Sequence, residues 1–260
     1  MTGRNNVSMA LSAILIDIDS TVYDAVPCYR NGLVTAQRAA ARIHPDWESP
    51  DTFRADYENA RDRLVARIGY QPAWHSRFIY FLSMLEKRLG NSSLRSAGQL
   101  RRAYWDGYAE KMAVDDDCAE TIQWIRDRGI TVVWTTNFTC EPQVWKLDQL
   151  GLIDAADYFV ASEEAGVEKP DPALFSLALE KANTDPGEAW MVGDDLNRDI
   201  AGAQTSGLKG VWMCRNSASR NDIEPDHTIY QWTELKSLVE RMATNHGGVV
   251  VNAVDTRPPT

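Results

Sequence analysis

Apolar and polar residues alternate along this chain in two rhythms. The first consists of short apolar runs that stop abruptly at polar residues. Ala13–Ile16 runs into Asp17, residues 130–134 into Thr135, Thr136 and Asn137, and residues 189–192 into Gly193, Asp194 and Asp195. Tyr158–Ala161, 210–214 and 228–230 are further runs of this kind. Short apolar runs bounded by polar residues read as strands buried on both faces, as in a parallel sheet. From Asp115 onward these runs alternate with segments of helical period. One is capped by Asp116 and ends at Gly129, and residues 141–150 close at Gly151. Another opens at Pro172 and ends near Asn183, a fourth carries Asp199, Ala201 and Ala203, and residues 234–242 form the last. Strand–helix alternation predicts an α/β fold, a Rossmann-like parallel sheet.

The second rhythm fills the interval after the first strand. Apolar residues recur at helical spacing over 26–43. Ser49-Pro50-Asp51 is a helix start that predicts a helix to Ile68, stopped by Gly69. A third helix follows Pro72 and ends at Gly90, and a fourth covers 97–112. No strand alternation interrupts this stretch, which is far longer than a single crossover helix, so the spacing predicts an inserted helical domain. The expected division is a core of 1–24 and 115–244, a helical cap of 25–114 and a tail of 245–260 without helical period. There are no internal repeats.

Composition narrows the function. The 260 residues are 44% hydrophobic and 25% charged, as in ordinary globular proteins. A net charge of −10 argues against nucleic acid or an anionic membrane as main partner. A small anionic substrate stays compatible, because a metal and one lysine reverse the field locally. Cys28, Cys118, Cys140 and Cys214 form no C-x-x-C pair, so neither a zinc framework nor a disulfide scaffold is expected. No apolar run reaches membrane-spanning length, the N-terminus lacks a signal-peptide pattern, and a cytoplasmic location is the expectation. Oligomeric state leaves no mark in the sequence.

Candidate chemistry lies at the strand ends. Asp17 and Asp19 follow the first strand, with Thr21 two residues on. Alternate residues of a strand point to opposite faces, so only a turn starting at the strand's end brings both carboxylates to one site. Crowded carboxylates then need a cation or a raised pKa. Later ends offer Thr136 and Asn137, then Lys169 in Gly166-Val167-Glu168-Lys169-Pro170-Asp171-Pro172, then Asp194 with Asp199. Singly, each has an ordinary role: turn chemistry for Thr-Asn, a solvated loop for the lysine, a helix cap for Asp195 or Asn197. Together, at one sheet edge, they form an inventory for phosphoryl transfer. Asp17 can be a nucleophile and Asp19 a general acid and base. Asp17 and Asp194 offer hard oxygens to Mg²⁺, and Lys169 and the Thr136 hydroxyl can meet phosphoryl oxygens.

These pieces resemble the four motifs of the haloacid dehalogenase superfamily: DIDST (17–21), TVVWTTN (131–137), GVEKPDPALF (166–175) and MVGDDLNRDIAGAQTSG (191–207). The long helical insert after the first motif is similar to the branch with a helical cap. The resemblance implies a Rossmann-like core, a mobile helical cap, Mg²⁺ and an aspartyl-phosphate intermediate. It assigns Asp17 and Asp19 to catalysis, Thr136, Asn137 and Lys169 to substrate phosphate, and Asp17, Asp19 and Asp194 to the metal, with Asp195 and Asp199 behind them. Two departures stand out. Ser20 occupies a position more often Gly, Asn or Glu, and Asp195 doubles the acid of the fourth motif, either as helix cap or as support to the metal.

The expected function is a Mg²⁺-dependent phosphatase of a small phosphomonoester, such as a sugar phosphate or a nucleotide. A phosphosugar mutase and a 2-haloacid dehalogenase are the alternatives on the same fold. Outside enzymes, the alternatives are a receiver-like signalling module or a silent binding member. In the segment 69–77, Tyr70, His75 and Arg77 could contact a leaving group. Otherwise Trp74, Phe78 and Phe81 form the cap core, with His75 and Arg77 on its wet face.

Overall fold

The computed structural model describes residues 11–215 and 222–245. Six parallel strands form one sheet in the order β3-β2-β1-β4-β5-β6. They are β1 (Ala13–Ile16), β2 (Thr131–Thr136), β3 (Tyr158–Ala161), β4 (Ala189–Gly193), β5 (Lys209–Met213) and β6 (His227–Ile229). β1 lies in the middle, its four residues wholly buried. Its register sets Ile16 beside Trp134 on one flank and Val192 on the other. The chain builds outward from β1 through β2 to β3, then crosses to β4 on the other side. That reversal makes the strand ends around β1 a switch point, the place where open parallel sheets bind ligands.

Helices α1 (Ala25–Ala40), α2 (Pro50–Ile68), α3 (Arg77–Leu89) and α4 (Leu94–Ala109) follow β1 before the chain returns to the sheet. Ser49 caps α2 by accepting from Thr52 N–H, Pro50 takes the first turn, and Gly69 stops it. Gly90 ends α3 in the left-handed region that glycine adopts without cost. The apolar faces of these helices share one core with Ile16, Ile18 and Tyr23. The chain leaves the sheet and returns through one narrow crossing. Tyr23 bridges Val114 in antiparallel fashion, and Asp115 N–H donates to the Val22 carbonyl at 3.0 Å. Arg215 fastens the crossing, donating to Thr21 O at 2.7 Å and to the Asp115 carboxylate.

The rest is strand–helix repeat. α5 (Cys118–Arg126), α6 (Cys140–Gln149), α7 (Ser162–Ala165), α8 (Pro172–Ala182), α9 (Gly202–Thr205) and α10 (Trp232–Asn245) connect or flank the strands. Three local expectations are corrected. Asp117, not Asp116, stands at the start of α5, in a left-handed conformation and without a side-chain cap bond. β2 extends through Thr136, because Thr135 and Thr136 are still paired to β3. The segment after β4 opens as a wide π turn, Leu196–Ala201, before tightening into α9. The tail expected over 245–260 lies outside the described residues except for the Asn245 backbone. Among the described residues no helix is long and apolar enough to cross a membrane.

Candidate active site

The turn after β1 does what two alternating carboxylates require. Thr21 and Val22 N–H both donate to Ile18 O, and Ser20 takes a left-handed φ of 63°. L residues other than Gly, Asn and Asp adopt that region at a cost, which accounts for Ser20 being unusual there. Asp17 and Asp19 both reach one cavity of about 200 Å³ at the carboxyl ends of β1, β2 and β4. A larger, open hollow of about 960 Å³ lies at the other end of the strands, beside Ser12 and Gly129. The smaller cavity is the candidate site, because the sequence-predicted groups converge there and the larger hollow holds none of them.

One half of the cavity is a carboxylate cluster. Ligand atoms of Asp17, Asp194 and Asp199 lie within 4.8 Å of one another. Lys169, only 3% exposed, sits among them, with Nζ 2.6 Å from Asp17 Oδ1 and 2.7 Å from Asp199 Oδ1. Its ammonium also donates to Thr135 O at 2.8 Å. Burial raises the Asp17 pKa, and Asp199 adds to the rise while Lys169 opposes it; the result is pushed up to about 7. Asp194 is raised well above the ordinary carboxylate value by burial and by Asp199 and Asp17. Burial pulls the Lys169 pKa down, but Asp17 and Asp199 outweigh it and hold it above its ordinary value. Three carboxylates sharing one ammonium lack positive charge, and hard oxygens in such a set suit a divalent cation.

Asp199 is brought in by the π turn. Its Oδ2 accepts from Asp195 N–H at 3.0 Å, and it packs against Gly193. A Cβ at Gly193 would fall 2.3 Å from Asp199 Cγ, so only glycine lets the carboxylate come this close. Asp195 caps the turn, its Oδ1 accepting from Asn197 and Arg198 N–H at 2.9 Å each.

The other half belongs to Asp19. Its carboxylate lies apart from the cluster of Asp17, Asp194 and Asp199. Its partner is Lys146. It is wholly buried and donates to both Asp19 oxygens, at 2.8 and 2.6 Å. Gln143 adds a bond at 3.1 Å, and the Tyr23 hydroxyl donates to Oδ1. Burial works to raise the Asp19 pKa, but Lys146, Tyr23 and Gln143 overcome it and hold the group below the ordinary range.

The phosphate-side residues are also placed. Thr136 is buried at the cavity wall, its Oγ1 accepting from Gln143 at 2.5 Å, which leaves its own hydrogen free to donate. Asn137 lines the cavity too, and its amide holds the Lys169 backbone. It donates to Lys169 O at 3.0 Å and accepts from Lys169 N–H at 2.7 Å. A second amide hydrogen remains beyond these two bonds. Neither His75 nor Arg77 is on a wet face. The His75 side chain, 10% exposed, bonds Glu168 at 2.8 Å beside Trp74, and burial lowers its pKa. Arg77 donates to His75 O, and its guanidinium lies about 5.6 Å from the rings of Tyr29, Tyr80, Tyr104 and Phe138.

Gln143 and Lys146 were not among the sequence candidates. The signal was present in α6: residues 143, 146, 147 and 150 make one helical stripe, and all four are buried. Two of the four are polar, which a buried stripe does not hold without partners.

Known proteins resemble this chain in sequence and in fold. A family model described as haloacid dehalogenase-like hydrolase matches residues 11–207. The ribulose-1,5-bisphosphate 5-phosphatase of Halopiger xanaduensis is 35% identical over 88% of this chain and 99% of its own. The glyceraldehyde 3-phosphate phosphatase of Methanopyrus kandleri is 28% identical over 90% of this chain and 99% of its own. Among solved structures, a phosphatase from Thermococcus onnurineus superimposes with a TM-score of 0.68 at 28% identity, covering 88% of this chain and 97% of that one. A 2-haloacid dehalogenase from Pseudomonas syringae shares the fold, with a TM-score of 0.74 at 24% identity over 89% of this chain and 99% of that one.

Proposed function

The chain belongs to the haloacid dehalogenase-like hydrolases and is an enzyme of their phosphatase type, and we propose that it hydrolyses a small sugar phosphate with Mg²⁺ through a phosphorylated Asp17. The observation that carries the proposal is the Asp17–Lys169–Asp199–Asp194 cluster in a cavity that also holds Asp19 and Thr136. The named activities of the two relatives, both on phosphorylated sugars, support the substrate class.

Mg²⁺ held by Asp17, Asp194 and Asp199 would offset the charge of a substrate phosphate; the crowding and raised pKa values of Asp17 and Asp194 support that fit. Lys169 and the Thr136 hydroxyl bind and orient phosphoryl oxygens. An Asp17 oxygen attacks phosphorus in line, and the ester P–O bond breaks. Asp19 starts this step protonated, the negative charge of the bound phosphate beside it opposing the pull of Lys146, and gives that proton to the departing alkoxide, which leaves as the alcohol. In the second step Asp19, now the carboxylate, takes a proton from water as the water oxygen attacks phosphorus. The bond to Asp17 breaks, and inorganic phosphate forms with both Asp residues restored. Lys146, the Tyr23 hydroxyl and Gln143 favour the carboxylate form of Asp19 that this second step needs.

The division of the chain into an α/β core of 1–24 and 115–244 and a cap of 25–114 is part of the same proposal; the single crossing at Tyr23 and Val114 supports it. The test is phosphate release from an aryl phosphate, with Mg²⁺ or with EDTA, by the wild type and by Asp17→Asn. Release that needs Mg²⁺ and disappears in the variant is the expected result. Release that persists in Asp17→Asn would overturn the mechanism.

A further inference from the structure

Asp19 is held in place by a helix that none of the four motifs includes. Thr136 ends β2, and α6 begins four residues later. Gln143 and Lys146 lie one turn apart on the face of α6 that looks back at the strand end. Both are wholly buried. Gln143 Nε2 spans the two halves of the cavity, donating to Thr136 Oγ1 at 2.5 Å and to Asp19 Oδ2 at 3.1 Å. Lys146 Nζ reaches both oxygens of Asp19, at 2.6 and 2.8 Å. Its remaining surroundings are aromatic: Nζ is 4.5 Å from the Phe138 ring centroid, 5.4 Å from Tyr108 and 5.6 Å from Trp105. Asp19 is its only salt-bridge partner among the described residues.

A buried ammonium is costly unless its partner repays it, and helix α6 could satisfy its core contacts with an apolar residue at this place. Lys146 is instead aimed at one carboxylate, with rings blocking its other directions. Lys146 on both oxygens, with Gln143 on Oδ2 and the Tyr23 hydroxyl on Oδ1, fixes the plane of the Asp19 carboxylate as well as its position. The same group lines the cavity beside Asp17 and keeps 18% of its side chain exposed there. Its exposed edge is therefore directed by the helix behind it.

We propose that Lys146, assisted by Gln143, is a positioning residue that sets the orientation of Asp19 toward the leaving-group oxygen of the substrate. The proposal rests on the phosphatase reading of the site. Neither residue touches the phosphoryl group. The consequence is selective: orientation of Asp19 matters most where the departing oxygen needs a proton. An alkyl ester, as in a sugar phosphate, leaves as a strongly basic alkoxide. A nitrophenyl ester leaves as a stabilised phenolate with little need of one.

The test compares kcat and KM for ribose 5-phosphate and for 4-nitrophenyl phosphate, with Mg²⁺, in the wild type, Lys146→Met and Gln143→Met. Loss of oriented acid–base help on the alkyl ester should lower kcat about 100-fold in Lys146→Met, and the aryl ester should lose about tenfold less than that. KM should change little for either. Gln143→Met should shift the ratio in the same direction by a smaller factor, and it decides the question if Lys146→Met does not fold. Added ethylammonium should restore part of the alkyl activity to Lys146→Ala and leave the aryl activity where it was. Equal losses on both esters, or a change confined to KM, would mean that Lys146 only supports the packing, and the proposal falls. A wild type that releases phosphate from neither ester sinks the phosphatase reading itself, a result separable from the first.

Discussion

Asp17 and Asp19 stand two residues apart in one turn, yet their surroundings push them in opposite directions. Asp17 joins two other carboxylates around a single ammonium, and its pKa is pushed up to about 7. Asp19 has the ammonium of Lys146 to itself, with Gln143 and Tyr23 donating as well, and its pKa is held below the ordinary range. Desolvation pushes both upward, so the ratio of positive partners to carboxylates decides the difference. The first half is short of a cation and is suited to receive one. The second is already neutralised and is suited to hold a geometry.

Removing the carboxylates one at a time breaks this pairing most severely. Asp17→Asn should reduce phosphate release to background, since the attacking oxygen is gone. Asp19→Asn should cost about 10² or more for an alkyl ester, the usual scale for losing an acid and base. Assays of both variants on one substrate check this, and near-normal turnover in both would remove the basis of the contrast. Next in size is Gly193→Ala. The new Cβ would meet Asp199 at 2.3 Å, and a displacement of about 1 Å at such a site can cost roughly 10²-fold. The same variant should need more Mg²⁺ for half-maximal rate, while the Asp19 half stays intact.

The unequal charge also has a pH signature. A carboxylate whose folded pKa is raised contributes stability that is fully present below its unfolded value and is lost as pH rises through the folded one. For Asp17 that window closes at about 7, and Asp194 is raised in the same sense. The metal-free protein should therefore melt a few degrees lower at pH 8 than at pH 6.5, and saturating Mg²⁺ should remove most of the gap by replacing the protons. The groups held below their ordinary values, Asp19 and Glu168 among them, lose their contribution only at lower pH and leave this window undisturbed. Calorimetry at the two pH values decides it; equal melting points without metal would mean that the cluster is not crowded. The smallest effect concerns the turn that presents both residues. Ser20→Gly relieves a left-handed φ of 63° and should stabilise the fold by about 0.5 kcal/mol in urea titration, after glycine's entropic cost is subtracted.

Much of this was legible along the chain, for reasons that differ from place to place. The strands read clearly because both faces of the sheet are covered, which makes runs such as Ala13–Ile16 continuously apolar. Ser49, Pro50 and Gly69 marked α2 because capping and termination are local chemistry. The cluster around Lys169 could be inferred from the order of polar strand ends, since parallel connections bring those ends to one edge. What escaped depended on contacts across the fold. The place of Asp199 beside Lys169 and Gly193 depends on the π turn, which has no local sequence signal. Lys146 and Gln143 were hidden because α6 inverts the usual polarity, exposing Val144 and burying a lysine. Only the position of Asp19, far away in sequence, explains that inversion. For His75 and Arg77 the sequence left two places open, a leaving-group contact or a wet face; Glu168 and a box of rings draw them inward instead of to solvent, and His75 lines the cavity.

The crossing at Tyr23 and Val114 has a consequence for how this molecule could vary. The two ends of the long helical excursion are joined by a backbone bond of 3.0 Å and clipped by Arg215, so the sheet experiences everything between them as one tight turn. Closing such an excursion costs an entropy that grows only slowly with its length. Helices grafted in at that point could be longer, shorter or of another sequence without altering strand order or register, provided they cover Ile18 and Tyr23.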